Sequence, residues 1–411
     1  MQNAAMAALA VVKVCSQVYR NVAFCVYRTR EAYFLGRNEF ISVRLFSTHG
    51  VPNMSNSRKS STLMYGLLGI SMGALVGAGY SYHKKTETQS PAILNKNMGT
   101  TSAVLETPPD FQISRKVVVP ADNTGLKLTL FQYTTCPFCC KVRAVLDYYG
   151  FSYNIIEVNP VLRQQIKWTE YKKVPIVLAH VDGVYQQMND SSMIISALAS
   201  YLHDRNQGLE EVVKFYPSIS FTDDDGKLKN DILNRYFLMY QGNIPQDKTK
   251  DTILKERQWR KWADDVLVHM LSPNVYRTRE EALQAFNWFS EVGEWEKHFS
   301  TWERYLVVYV GAYAMWIIGK RLKKRHNLKD NVRASLYDAC NHWMKSMAKQ
   351  GTEFMGGEMP DLSDLAVYGV LSSIEGCVTF QDLLQHTSIG KWYYSMKQNV
   401  QSHAGCSIMN G

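Results

Sequence analysis

From Leu126 the chain alternates apolar and polar side chains, Leu126-Lys127-Leu128-Thr129-Leu130-Phe131-Gln132, a period of two that predicts a strand. Beyond it Val142, Val145, Leu146 and Tyr149 recur at helical spacing, so the strand hands over to a helix across 137–149. The same periods predict a strand at 152–158, a short helix at 161–168, strands at 175–180 and 183–188, and a helix at 190–202. Val181-Asp182-Gly183 supplies the hairpin turn between the last two strands, and Asp190 and Ser191 cap the final helix. The remainder, 205–411, is patterned as helix with little strand. There Trp259, Trp262, Val266 and Met270 form one apolar stripe. Tyr305 to Gly319 is apolar all round but too short to span a bilayer, which predicts a buried helix. The basic run Lys320 to His326 behind it suits a helix C-terminus, and Asp361 with Asp364 three residues on predicts a capped core helix.

The order β-α-β-α-β-β-α is that of a thioredoxin-like domain, here 123–204. Followed by a helical domain at 205–411, it gives the architecture of a glutathione transferase: α/β plus all-α. Upstream, Leu63 to Tyr82 carries no charge, and its length suits the ~20 residues of one membrane helix, bounded at 61–83. Gly69, Gly73 and Gly77 give that stretch a small-residue packing face. Residues 84–122 are polar and aperiodic and read as a linker. The net charge of +9 hints at nucleic acid until it is located: residues 1–60 contribute +6 of it. That basic leader, ending near Val43-Arg44-Leu45-Phe46-Ser47-Thr48, resembles a mitochondrial presequence, and a nucleic-acid function falls away. Eight irregularly placed cysteines are no secreted disulfide framework, so a reducing compartment is expected.

The chemistry concentrates where the first strand meets its helix, at Cys136-Pro137-Phe138-Cys139. A thiol there meets unpaired amide N–H groups and the positive end of the helix dipole, both of which favour the thiolate. Cys136 is the nucleophile candidate and Cys139, one turn inside, a resolving thiol. Structural burial of both, or half a zinc site, are the alternatives; no second cysteine pair stands at zinc spacing, and Cys140 merely adjoins Cys139. Val174-Pro175 begins the third strand, where thioredoxin-like folds hold a cis-proline facing the cysteine motif. The helix start at Asp190 is suited to a carboxylate.

The blocks YTTCPFCCKVRAVLDYYG, Val158-Asn159-Pro160, YKKVPIVL, QMNDSSMIISAL, WRKWADDVLVHMLSPNVYRT, GKRLKKRHNLKDNVR and FMGGEMPDLSDLAVYGVL together resemble the membrane-associated prostaglandin E synthase 2 family. The resemblance runs over 126–395. It implies isomerisation of the endoperoxide prostaglandin H2 to prostaglandin E2, with Cys136 as catalytic thiol and Tyr133 beside it. It also implies glutathione bound along Val174, Pro175, Asp190 and Ser191, and haem near His269, Ser272, Arg321 and Arg325. The iron would be held by the glutathione sulfur and by no protein atom, and the haem form would cleave the endoperoxide to a hydroxy fatty acid and malondialdehyde. A homodimer is expected, anchored through 63–82 in a Golgi membrane by resemblance, although the leader points to mitochondria; a processed soluble form would lack this N-terminus. Cys140 departs from the serine expected there, and a third thiol beside the pair could turn it toward disulfide chemistry. The rival functions are a glutaredoxin-like thiol–disulfide oxidoreductase and a non-catalytic glutathione- or haem-binding module.

Overall fold

The computed structural model describes residues 104–407 apart from 161, 182, 223–227, 241–243 and 247. The leader, the 63–82 stretch and the start of the linker lie outside the described residues. Among those described, no helix is long and apolar enough to cross a membrane.

A six-stranded mixed sheet carries the first part. Its strands are β1 (Val104–Leu105), β2 (Arg115–Val117), β3 (Lys127–Gln132), β4 (Tyr153–Glu157), β5 (Ile176–Val181) and β6 (Val184–Asn189), in the order β1-β6-β5-β3-β4-β2. Only β3 and β4 run parallel, with Leu130 opposite Ile155; β5 lies antiparallel on the other side, with Val177 opposite Leu130. That parallel pair needs a crossover, supplied by α1 (Pro137–Tyr149). After β6 comes α2 (Ser191–His203), and the alternation of the strands and both helix boundaries follow the sequence pattern to within a residue or two.

Three local differences stand out. The expected helix at 161–168 shrinks to one 3-10 turn, Gln164–Ile166, led by Arg163 in the left-handed region. The sheet takes in β1 and β2 from residues expected to be linker, Arg115 pairing with Ile155 and Val117 with Tyr153. Strands of two and three residues are too short to show a period, so only partners remote in sequence define them. Beyond α3 (Leu209–Lys214), a hairpin of β7 (Ser218–Thr222) and β8 (Leu228–Ile232) interrupts the region expected to be helical.

The helical part comprises α4 (Lys250–Trp262), a π turn (Ala263–Leu267), α5 (Val268–Val275), α6 (Arg279–Val292), the short α7 (Trp295–His298) and α8 (Thr301–Tyr305). A second π turn (Leu306–Val310) leads into α9 (Gly311–Arg325), followed by α10 (Val332–Gln350), α11 (Leu362–Ser372), α12 (Val378–His386) and α13 (Ile389–Gln401). The expected stripe of Trp259, Trp262, Val266 and Met270 is only half-buried. The wholly buried line is Glu256, Arg260, Ala263, Leu267 and Leu271, because the π turn adds a residue and shifts the helical phase. Nor is 305–319 buried all round: Tyr305, Tyr309 and Tyr313 lie more than half exposed.

One hydrophobic core runs through sheet and helices. Its central seam is α11 against α1, where Gly369 lets two backbones touch: a Cβ there would sit 2.5 Å from Lys141 Cα. The start of α11 is fixed by the expected capping box of Asp361 and Asp364. Asp364, wholly buried, also accepts the Met355 N–H at 3.0 Å and the Trp392 indole N–H at 3.1 Å.

Candidate active site

The turn from β3 into α1 is closed by the Cys136 N–H donating to Tyr133 O at 3.0 Å. Cys136 is the N-cap, extended at φ −75° and ψ 124°, with Pro137 next, where a missing N–H costs nothing. Hydrogen bonding from the Cys139 thiol draws the Cys136 pKa below the usual thiol range; the Cys139 and Phe138 amides and the Arg143 charge add to this, and together they outweigh burial. Cys139 is the converse: burial first, then the Cys136 thiolate, raises it well above its ordinary value. The two thiols are thereby pushed in opposite directions, Cys136 toward the thiolate and Cys139 toward the protonated form.

Cys140, one residue on, turns away from the pair. Its thiol donates to Thr134 O at 3.3 Å and receives Arg143 Nη2 at 3.1 Å, and burial pushes it up. Arg143 itself is fixed by Gln132 Oε1 at 2.5 Å and Thr134 O at 2.7 Å. The third thiol is thus held in a polar network behind the motif.

Tyr133 has its ring against the core and its hydroxyl buried without a hydrogen-bond partner. Burial pushes the phenol up to about 12, the Arg163 charge pulling against it and the Cys136 and Cys139 sulfurs adding to it. Val174-Pro175 is cis, as the position predicts. Asp190 caps α2 through Oδ1, accepting Ser192 N–H at 3.0 Å and Met193 N–H at 3.2 Å, with Ser191 buried behind it.

Sequence reasoning missed what ties these pieces together. The Lys141 ammonium, 1% exposed, pairs with Asp264 from the π turn of the helical part. Lys141 also reaches Ser192 Oγ at 3.2 Å, while Asp264 accepts Ser192 Oγ at 2.5 Å and Tyr236 Oη at 3.0 Å. Arg260 adds bonds to Ser192 O at 3.1 Å and Ser196 Oγ at 2.7 Å. The cysteine helix, the start of α2 and the helical part therefore meet at one buried ion pair. Nothing local in the sequence distinguishes Asp264 from Asp265.

The remaining expected residues lie on α5 and α9, which pack together. Gly319 of α9 faces the Ser272 and Tyr276 carbonyls, its would-be Cβ 3.7 and 3.4 Å away. His269 is buried and stacks on His326 with centroids 4.6 Å apart at 14°. Burial holds both imidazoles below their ordinary value, His326 down to about 4, so they are neutral at pH 7. Arg321 and Arg325 are exposed in the last turns of α9. Among the described residues, no group of three or more His, Cys, Asp or Glu could hold a metal ion.

Residues 128–185 match the glutaredoxin family model. Prostaglandin E synthase 2 of Danio rerio is 47% identical over 282 residues, 68% of this chain and 72% of the relative. That of Mus musculus is 46% identical over 294 residues, 71% of this chain and 75% of the relative. Over matches of that length and identity, with the thiol pair, cis-proline and helix cap in their expected places, the chain belongs to the prostaglandin E synthase 2 family.

Proposed function

We propose that this protein is an endoperoxide isomerase, converting prostaglandin H2 to prostaglandin E2 at Cys136. The observation that carries the reading is the Cys136 thiol at the N-cap of α1, its pKa drawn below the usual thiol range, beside the unpartnered, neutral Tyr133 phenol. The thiolate attacks one peroxide oxygen; a sulfur–oxygen bond forms as the oxygen–oxygen bond breaks. The electron pair stays on the other oxygen, which takes the Tyr133 proton and becomes the hydroxyl. The carbon carrying the sulfur-bound oxygen then loses its hydrogen as a proton to the Tyr133 phenolate. Its electron pair forms the ketone and expels the thiolate, so enzyme and proton count are restored.

Glutathione is the proposed thiol partner, supported by the glutaredoxin match, the cis-proline after Val174, and the Asp190–Ser191 helix start. Haem fits the α5–α9 seam in its donor set: exposed Arg321 and Arg325 suit propionates, and the neutral His269 beside Ser272 suits an apolar ring. When bound, it would supply an iron able to cleave the endoperoxide to a hydroxy fatty acid and malondialdehyde. By family resemblance we take 63–82 as a Golgi membrane anchor and a homodimer as the assembly, to be tested by fractionation and by sedimentation of the soluble body.

A second reading, a glutaredoxin-like oxidoreductase, is favoured by the Cys136–Cys139 hydrogen bond. Purified protein incubated with endoperoxide and a dithiol, with and without haem, separates them. Cys136→Ser should abolish prostaglandin E2 formation, whereas Cys139→Ser should spare it and stop only disulfide cycling. Equal and complete loss in both would favour the oxidoreductase, and no turnover by the unaltered protein would leave a binding module.

A further inference from the structure

Two buried donors beside the cysteine motif lack a hydrogen-bond partner: the Tyr133 hydroxyl and Arg163 Nε. Polar atoms out of water are ordinarily paired, so two orphans side by side need an explanation. The Arg163 charge and the Cys136 sulfur both act on the Tyr133 phenol, so the three groups share one locality.

The backbone also singles out Arg163. It sits at φ 49° and ψ 36°, a region that residues other than glycine seldom occupy, and this strained turn leads the 3-10 turn. Its N–H donates to Asn159 O at 3.0 Å and its carbonyl accepts Ile166 N–H at 3.2 Å, so the turn is held at both ends. On the side chain, Nη1 donates to Lys172 O at 2.7 Å, tying the guanidinium to the segment that leads into Val174 and Pro175. The head group is therefore clamped at one nitrogen while another stays buried and unused.

We propose that Arg163 and Tyr133 form a two-donor subsite for an alkoxide, the oxygen that keeps the electron pair when the Cys136 sulfur cleaves a peroxide bond. The natural substrate rests on the isomerase reading; the subsite itself belongs to the chemistry of the oxygen–oxygen bond. Arg163 stabilises charge on the departing oxygen and on the Tyr133 phenolate left after proton transfer. Neither donor has to abandon another partner as that charge develops, the condition under which such donors favour a transition state over the ground state.

A simple hydroperoxide tests this without the endoperoxide. The Cys136 thiolate bonds to the terminal oxygen of cumene hydroperoxide and the oxygen–oxygen bond breaks. The alkoxide takes the Tyr133 proton and leaves as cumyl alcohol, and the phenolate regains a proton from water. Sulfur is oxidised by two electrons to the sulfenic acid as the peroxide is reduced. The reduced full-length protein is mixed with cumene hydroperoxide in a single turnover and the alcohol is measured; alkylation of Cys136 by iodoacetamide, which releases no alkoxide, is timed in parallel. Arg163→Met should slow alcohol formation ~10²-fold, the usual effect of removing one such donor, and leave alkylation within about threefold. Arg163→Lys, which keeps the charge, should recover part of the rate and serves if the methionine variant does not fold. Tyr133→Phe should slow the same reaction, and the double variant should be little worse than the worse single one, since the two act as a unit. Equal slowing of alkylation and peroxide cleavage would mean that Arg163 supports only the thiolate or the fold, and unchanged cleavage would remove it from the chemistry; either overturns the proposal. If the contrast holds while the unaltered protein fails to turn over prostaglandin H2, the isomerase reading fails and the subsite stands.

Discussion

Asp264→Ala tests the join between the cysteine helix and the helical part. It strips the anion paired with Lys141 at a place where that ammonium is 1% exposed. An ion left buried without its partner costs roughly 3–5 kcal/mol, and Ser192 Oγ, at 3.2 Å, is a neutral acceptor that recovers little of it. Lys141→Met should cost less, ~1.5–3 kcal/mol, because Asp264 keeps its bonds from Ser192 and Tyr236 and is 13% exposed. Replacing both residues with apolar ones, Lys141→Met with Asp264→Leu, should return stability to within about 2 kcal/mol of the unaltered protein, since no buried charge then lacks a partner. Urea unfolding midpoints of the four proteins measure the cycle. The same pair gives a pH signature. Burial works to raise the Asp264 pKa, but the Lys141 charge and the hydrogen bonds from Lys141 and Ser192 win and hold it below the usual carboxylate range. A group depressed in the folded state contributes stability above its unfolded value of about 3.9 and loses it as pH falls through the folded value. Asp264→Asn should remove that acid-side decline. A midpoint for Asp264→Ala within about 1 kcal/mol of the unaltered protein, or a double variant as unstable as Asp264→Ala alone, would refute the reasoning.

Three further outcomes follow. Burial, with Asp361 adding to it, lifts the Glu256 pKa to about 7, so the folded state holds a proton the unfolded chain has released. That contribution is full below the unfolded value of about 4.3 and is lost as pH rises toward 7; Glu256→Gln should flatten the stability profile there, and an unchanged profile would mean Glu256 is ionised when folded. Gly369→Ala puts a Cβ 2.5 Å from Lys141 Cα and 2.7 Å from its nitrogen, neither able to swing aside, so α11 must shift off α1 at ~1–3 kcal/mol; an unchanged urea midpoint contradicts this close approach. Arg321→Ala with Arg325→Ala should weaken haem binding in an absorbance titration while leaving haem-free isomerisation in place, and unchanged affinity would leave the basic run as a solvated helix end.

The sequence determined by itself the features that an unbroken period or a local cap defines. β3, α1 and the strands after them are legible because a strand buried on one face repeats every second residue and a helix every three or four. Asp190 and the Asp361–Asp364 box are legible because a cap bonds to amides two or three residues away. The lowered pKa of Cys136 is legible for the same reason: the Cys139 thiol and the Cys139 and Phe138 amides that favour the thiolate belong to the next turn of chain. Tertiary structure alone decided whatever depends on a distant partner. β1 and β2 are strands only because β6 and β4 offer edges to pair with. Arg163 brings its charge to bear on Tyr133 from a turn whose left-handed residue no helical pattern could announce. Asp264 rather than Asp265 meets Lys141 because a π turn alters the phase between α4 and α5, and a pattern read at 3.6 residues per turn loses its register there.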